Sequence, residues 1–67
     1  MDNYNFFIVF FISFEGNEKC TIVKTPIEWN EEDVKFKFES NGGCGDEPAV
    51  IISVYETLDT NYTWDFT

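Results

Sequence analysis

The hydrophobic rhythm of the chain changes four times. Tyr4–Phe14, YNFFIVFFISF, is almost continuously apolar and rich in aromatic and β-branched residues. Such a run predicts a strand covered on both faces, and so a central one. Because side chains alternate along a strand, Tyr4, Phe6, Ile8, Phe10, Ile12 and Phe14 share one face, and Phe7, Val9 and Phe11 the other. Glu15-Gly16-Asn17 carries turn chemistry, Gly-Asn being a hairpin signal. Lys19–Lys24 then alternates, with Cys20 and Ile22 on one side and Thr21 and Val23 on the other. Pro48–Leu58, PAVIISVYETL, predicts a third strand. Asp59-Thr60-Asn61 turns the chain. In the last segment Tyr62, Trp64 and Phe66 alternate with Thr63, Asp65 and Thr67, the pattern of an amphipathic fourth strand.

Asn30–Gly43, NEEDVKFKFESNGG, carries two signals. Val34, Phe36 and Phe38 alternate with Lys35, Lys37 and Glu39, as in a half-buried strand. Its ends belong to a helix. Asn30 is a good N-cap, Glu31, Glu32 and Asp33 crowd the first turn where the helix dipole favours acids, and Asp33 is placed for a capping box. Trp29 and Val34 have hydrophobic-staple spacing, Gly42 and Gly43 suit a left-handed cap, and Glu31 and Lys35 form an i,i+4 pair. On a helix Val34 and Phe38 share a face while Phe36 points away from it. The helix is favoured, and it predicts an α+β fold: a small four-stranded antiparallel sheet with one helix on one face, in the order β-β-α-β-β. An all-β meander is the alternative.

This arrangement leaves one face of the first strand without cover. The longer aromatic stripe is expected to fill the core under the helix. The face bearing Phe7, Val9 and Phe11 then needs another chain, and a homodimer is the expected form because most oligomers are symmetric self-assemblies.

Length and charge narrow the functional classes. Sixty-seven residues predict a single domain over 1–67. A chain this short has a marginal core, here helped by eight Phe, three Tyr and two Trp. Thirteen acids against four lysines, with no Arg and no His, leave a net charge of −9. That balance repels nucleic acid and anionic membranes and attracts basic protein surfaces. It also simply keeps an aromatic-rich domain soluble. The charge is uneven: residues 26–67 carry ten carboxylates against Lys35 and Lys37, a net of −8.

The chemistry for catalysis is sparse. Without His the usual general base and the commonest metal ligand are missing, and without Arg so is bidentate phosphate recognition. Cys44 in NGGCGDE neighbours acids, which oppose thiolate formation, so a nucleophilic role is not expected. Glu39, Asn41, Asp46 and Glu47 are oxygen donors but lack EF-hand spacing, and the glycines lack the Lys-Ser or Lys-Thr of a phosphate loop. No metal and no cofactor are expected. Cys20 and Cys44 are read as reduced thiols, and FFIVFFISF lacks the basic flank and cleavage site of a signal peptide, so the expected location is cytoplasmic. Asn61-Tyr62-Thr63 matches the glycosylation pattern but means little in that setting.

Two functions fit. The first is a non-enzymatic inhibitor whose carboxylates stand in for phosphates on a basic nucleic-acid-binding protein. Its partner-binding residues would be Glu28, Trp29, Glu31, Glu32, Asp33, Glu39, Asp46 and Glu47, with Trp29 or Trp64 as desolvated anchors. In small size, acidity and lack of catalytic residues the chain resembles in type the phage or mobile-element proteins that block host or defence nucleases; such a protein would act in the host cytoplasm. The second is a sheet-mediated interaction or assembly module whose acidity only solubilises it.

Overall fold

The computed structural model describes residues 3–40 and 50–67. Its elements are β1 (Tyr4–Ile12), β2 (Glu18–Pro26), α1 (Glu31–Ser40), β3 (Val50–Glu56) and β4 (Trp64–Asp65). They build the expected α+β class, with the helix in place of the meander. The sheet order is β3-β1-β2-β4, so β1 is central, as its apolar run predicts.

β1 and β2 form an antiparallel hairpin in which Phe7 faces Val23 and Ile8 faces Ile22. The loop between them is closed by the Gly16 N–H on the Ser13 carbonyl (2.9 Å) and the Ser13 N–H on the Asn17 carbonyl (2.9 Å). Gly16 sits at φ 88°, a left-handed conformation that glycine adopts without a Cβ penalty. β3 pairs antiparallel with the other edge of β1, with a bulge where Phe10 faces Ser53 but Phe11 faces Ile51.

The final strand departs from expectation. β4 does not return as a hairpin beside β3 but pairs in parallel with β2, Val23 beside Trp64 and Lys24 beside Asp65. The sheet is therefore mixed. The Thr63 N–H on the Ile22 carbonyl and the Phe66 N–H on the Lys24 carbonyl, both 2.8 Å, hold this edge on either side of the short strand.

α1 is a helix because its first turn is closed from both directions. The Asn30 side chain accepts the Asp33 N–H at 2.9 Å, and the Asp33 carboxylate accepts the Asn30 N–H at 2.9 Å. This reciprocal cap satisfies donors that a helix start otherwise leaves orphaned. Val34 and Phe38 are fully buried, whereas Phe36 is 66% exposed. The strand-like alternation of the segment is thus resolved by the 100° step of a helix, which turns Phe36 outward.

The helix covers the opposite face of the sheet from the one expected. Phe7, Val9 and Phe11 are 3%, 0% and 9% exposed, and with Val23, Val34 and Phe38 they form the core. They are not a dimer interface. Two physical reasons place the helix there. β2 and β3 run parallel to each other on either side of β1, and a crossover between such strands is right-handed in about 98% of cases, which leaves the helix one face once the strand order is set. That face also has room. Val9, Thr21, Val23 and Thr25 are small, so Phe38 can descend onto Phe11, ring centroids 5.1 Å apart. Thr25 is the buried polar residue of this core, and its hydroxyl reaches the carbonyl oxygens of Pro26 (3.2 Å) and Asn5 (3.4 Å).

Candidate functional site

Two surfaces remain, one on each side of the molecule. The first is the face of the sheet away from α1. Alternation places Phe6, Ile8, Phe10 and Ile12 of β1 there, with Cys20, Ile22 and Lys24 of β2 and Ser53 and Tyr55 of β3. Phe10 meets Tyr55 edge-on, centroids 6.1 Å apart, yet Tyr55 stays 55% exposed. Cys20, a free thiol, lies in the same exposed layer.

One end of this face is partly roofed by the return of the chain from β3 to β4. Tyr62 lies against Phe6, centroids 5.9 Å apart, so residues 57–63 pass over the side that the helix does not occupy. Lys24 sits beneath this crossing with its ammonium 3.8 Å from the centre of the Tyr4 ring and 5.3 Å from that of Tyr62. Ring faces of this kind attract a cation. Asp65, beside Lys24 in the ladder, accepts hydrogen bonds from the hydroxyl and the N–H of Thr67. Those bonds, aided by the Lys24 charge, hold its carboxyl below the ordinary Asp range although the group is fully exposed.

Each end of the face carries a shallow hollow. At the roofed end, Tyr4, Asn5, Phe6, Glu56, Thr57, Leu58 and Thr60 enclose about 410 Å³, and Leu58 stands 98% exposed. At the far end, Phe10, Glu18, Lys19, Ile52, Ser53 and Tyr55 line a mainly apolar groove of about 330 Å³.

The second surface is the outer side of α1. Glu28, Glu31, Glu32, Asp33 and Glu39 are all exposed. The 100° step puts Glu32, Phe36 and Glu39 on the stripe opposite the buried Val34 and Phe38, with Lys35 and Lys37 towards its flanks. The helix is less acidic than a count of its carboxylates implies: Glu31, Glu32, Asp33 and Glu39 against Lys35 and Lys37 leave a net of −2. One of those carboxylates, Asp33, is engaged in the cap.

Trp29 is not an outward anchor. It packs against the core and against Phe66, ring centroids 5.3 Å apart, closing the gap between the helix start and β4. Trp64 lies edge-on to Phe66 at 6.3 Å and is 37% exposed. Asp46, Glu47 and Cys44 lie outside the described residues. Among the described residues no group of three His, Cys, Asp or Glu side chains is arranged to hold a metal ion, and no helix is long and apolar enough to cross a membrane.

What sequence reasoning missed is the open face, because it assigned the longer aromatic stripe to the core. The available signal was the size contrast on β2, small Thr21, Val23 and Thr25 against larger Ile22 and Lys24, which marks the side able to receive a helix. Compared with known protein families, curated proteins and solved structures, the chain matches none.

Proposed function

We propose that this chain is a non-enzymatic protein-interaction module whose working surface is the open face of its sheet. One observation carries this reading: a sheet face bearing Phe6, Ile8, Phe10, Ile12, Ile22 and Tyr55 has no helix over it, although the chain is short and charged enough to have placed polar residues there. Phe10 and Tyr55 are exposed there, with Phe6, Ile8, Ile12 and Ile22 half-buried beside them, and a partly exposed apolar face of this kind marks an interaction site. The charge is distributed to match. Register places Glu18, Lys24 and Asp65 on the open side, while Glu28, Glu31, Glu32, Asp33 and Glu39 belong to α1 and its approach. In this reading the acids keep a sticky molecule dispersed, and a cytoplasmic setting suits its two thiols.

The test is a photo-crosslinking residue in place of Tyr55, illuminated in living cells. The expected result is a discrete adduct, of whatever partner mass, that is lost when Phe10→Lys is added. Recovery of the free chain alone overturns the proposal.

The acidic helix supports a second reading, the inhibitor of a basic nucleic-acid-binding protein. The favouring observation is the exposed Phe36 on a stripe between Glu32 and Glu39, an apolar contact flanked by carboxylates. Binding through this side requires attraction that falls steeply with added salt.

A further inference from the structure

We infer that the outer edge of β3 docks an extended segment of another protein in which basic and large apolar side chains alternate. The segment adds a further strand to the sheet. The inference rests on the interaction-module reading and deepens it, naming the chemistry of the partner and the border of the sheet where it binds.

The backbone of the edge comes first. Among the described residues β3 is the outermost strand on its side of the sheet. The Thr57 N–H donates to the Phe6 carbonyl at 2.9 Å. Peptide groups alternate in direction along a strand, so Ser53 and Tyr55 turn theirs to β1 as Thr57 does, while Val54 and Glu56 turn N–H and C=O outward. Edges of this kind are commonly blunted by Lys or Pro, and VIISVYE holds neither. The bulge between Ile51 and Ser53 leaves Ile52 53% exposed at the rim. Beyond it, residues 53–56 form a regular ladder with β1 that a new strand can extend.

Two hollows flank this edge, one on each face of the sheet, and Ile52 and Ser53 border both. On the helix side Glu31, Glu32 and Lys35 stand over Ile51 and Val54 around about 140 Å³. On the open side Phe10 and Tyr55 wall the mainly apolar groove of about 330 Å³. Side chains of an added strand alternate between the two faces and lie beside their cross-strand neighbours. The one opposite Val54, which shares the helix side with Val9, points towards Glu31 and Glu32, so a basic residue suits it. Those beside Ser53 and Tyr55 point into the apolar groove. Main-chain bonds give such a complex its affinity and pockets for alternate side chains its specificity. A second copy is disfavoured as the added strand, because it brings another net charge of −9 and the same Glu31, Glu32 and Glu56 to the contact.

The test is an NMR titration of the full chain with a capped peptide of alternating Lys and Leu, about six residues long. Saturable binding is expected, with the largest amide shifts at residues 52–56. A peptide of the same composition with Lys and Leu in separate blocks should bind at least tenfold more weakly, and a Glu–Leu counterpart should not bind. In a synthetic chain whose Val54 nitrogen is methylated, the side chain stays and only the outward N–H is lost. Circular dichroism should be retained while affinity falls at least tenfold. Ile52→Lys, at an exposed side chain, puts a charge on the edge and should weaken binding likewise, which keeps the test open if methylation disturbs the fold. Phe36→Ser on the outer side of the helix is the control and should change nothing. Three results overturn the inference: no binding of the alternating peptide at about 1 mM, equal binding of the block peptide, or an affinity that both edge variants leave unchanged. If one of them is found and a Tyr55-directed adduct still forms in cells, the edge is removed and the interaction module stands. With no adduct either, both are removed.

Discussion

Phe38 of the helix rests on Phe11 of the central strand with ring centroids 5.1 Å apart. That contact decides which side of β1 is inside. It joins the two buried residues of α1 to Phe7, Val9 and Val23 in one cluster and leaves the Phe6–Ile8–Phe10 side without a helix over it.

Truncation of Phe38 should therefore unfold the protein. Removing a buried Phe costs ~3–5 kcal/mol, comparable to all the stability that a core of this size supplies, ~3–5 kcal/mol. Phe36→Ala, two residues away but 66% exposed, should change stability by no more than ~0.5 kcal/mol. Urea denaturation of the two variants measures the contrast. Equal effects would mean that the helix is rotated from the position described.

The double change Phe7→Ser with Phe11→Ser separates a core from an interface. A face that only met another chain would tolerate it and yield a folded monomer. Here both residues are nearly buried within one chain, so loss of the native near-ultraviolet dichroism is expected.

The reciprocal cap makes a prediction about coupling. Asn30→Ala and Asp33→Ala should each cost ~1 kcal/mol. Their side chains close the same turn from opposite ends, Asn30 on the Asp33 N–H and Asp33 on the Asn30 N–H. Energies in such a unit are not additive, so the double variant should cost measurably less or more than the sum of the single ones. Strict additivity would show two independent bonds.

Asp65 gives a pH dependence with a defined sign. Its folded carboxyl titrates below the ordinary Asp value because Thr67 donates to it and Lys24 lies nearby. The contribution is present above the ordinary carboxylate range and is lost as pH falls through the lowered folded value. An NMR titration should place the Asp65 midpoint below the ordinary Asp value, and Thr67→Ala should raise it. An unchanged midpoint in that variant would remove the hydrogen bonds as the cause.

Charge reversal on the helix side tests the acidic reading on exposed residues that take no part in the reciprocal cap or the core. Glu31→Lys with Glu32→Lys leaves the Asp33 cap intact, which a reversal including Asp33 would not. If a basic nucleic-acid-binding protein is the target, its affinity for the variant should fall at least tenfold at low salt, with the helical dichroism retained. Equal binding by parent and variant would eliminate this surface.

The chain's own order of residues determined much of this molecule. The central position of β1, the hairpin at Gly16, the helix start at Asn30 and the outward turn of Phe36 all follow from short-range rules of pleat, turn, cap and helical step. Those rules act over a few residues, which is why they can be read from the line of text. The short-range reading also met its limit in β1. Alternation shows that Phe6, Ile8 and Phe10 lie opposite Phe7, Val9 and Phe11, but pleating is symmetric and names neither face as the inside. Only the assembled sheet chose between them: β3 came to lie across β1 from β2, and the crossover helix was confined to one side, where Val9, Val23 and Thr25 leave space for Phe38. The pairing of β4 was equally beyond the local pattern. Trp64 and Phe66 alternate as any strand would, but what draws them to β2 is the aromatic contact of Phe66 with Trp29, a residue far away in the chain and adjacent only after folding.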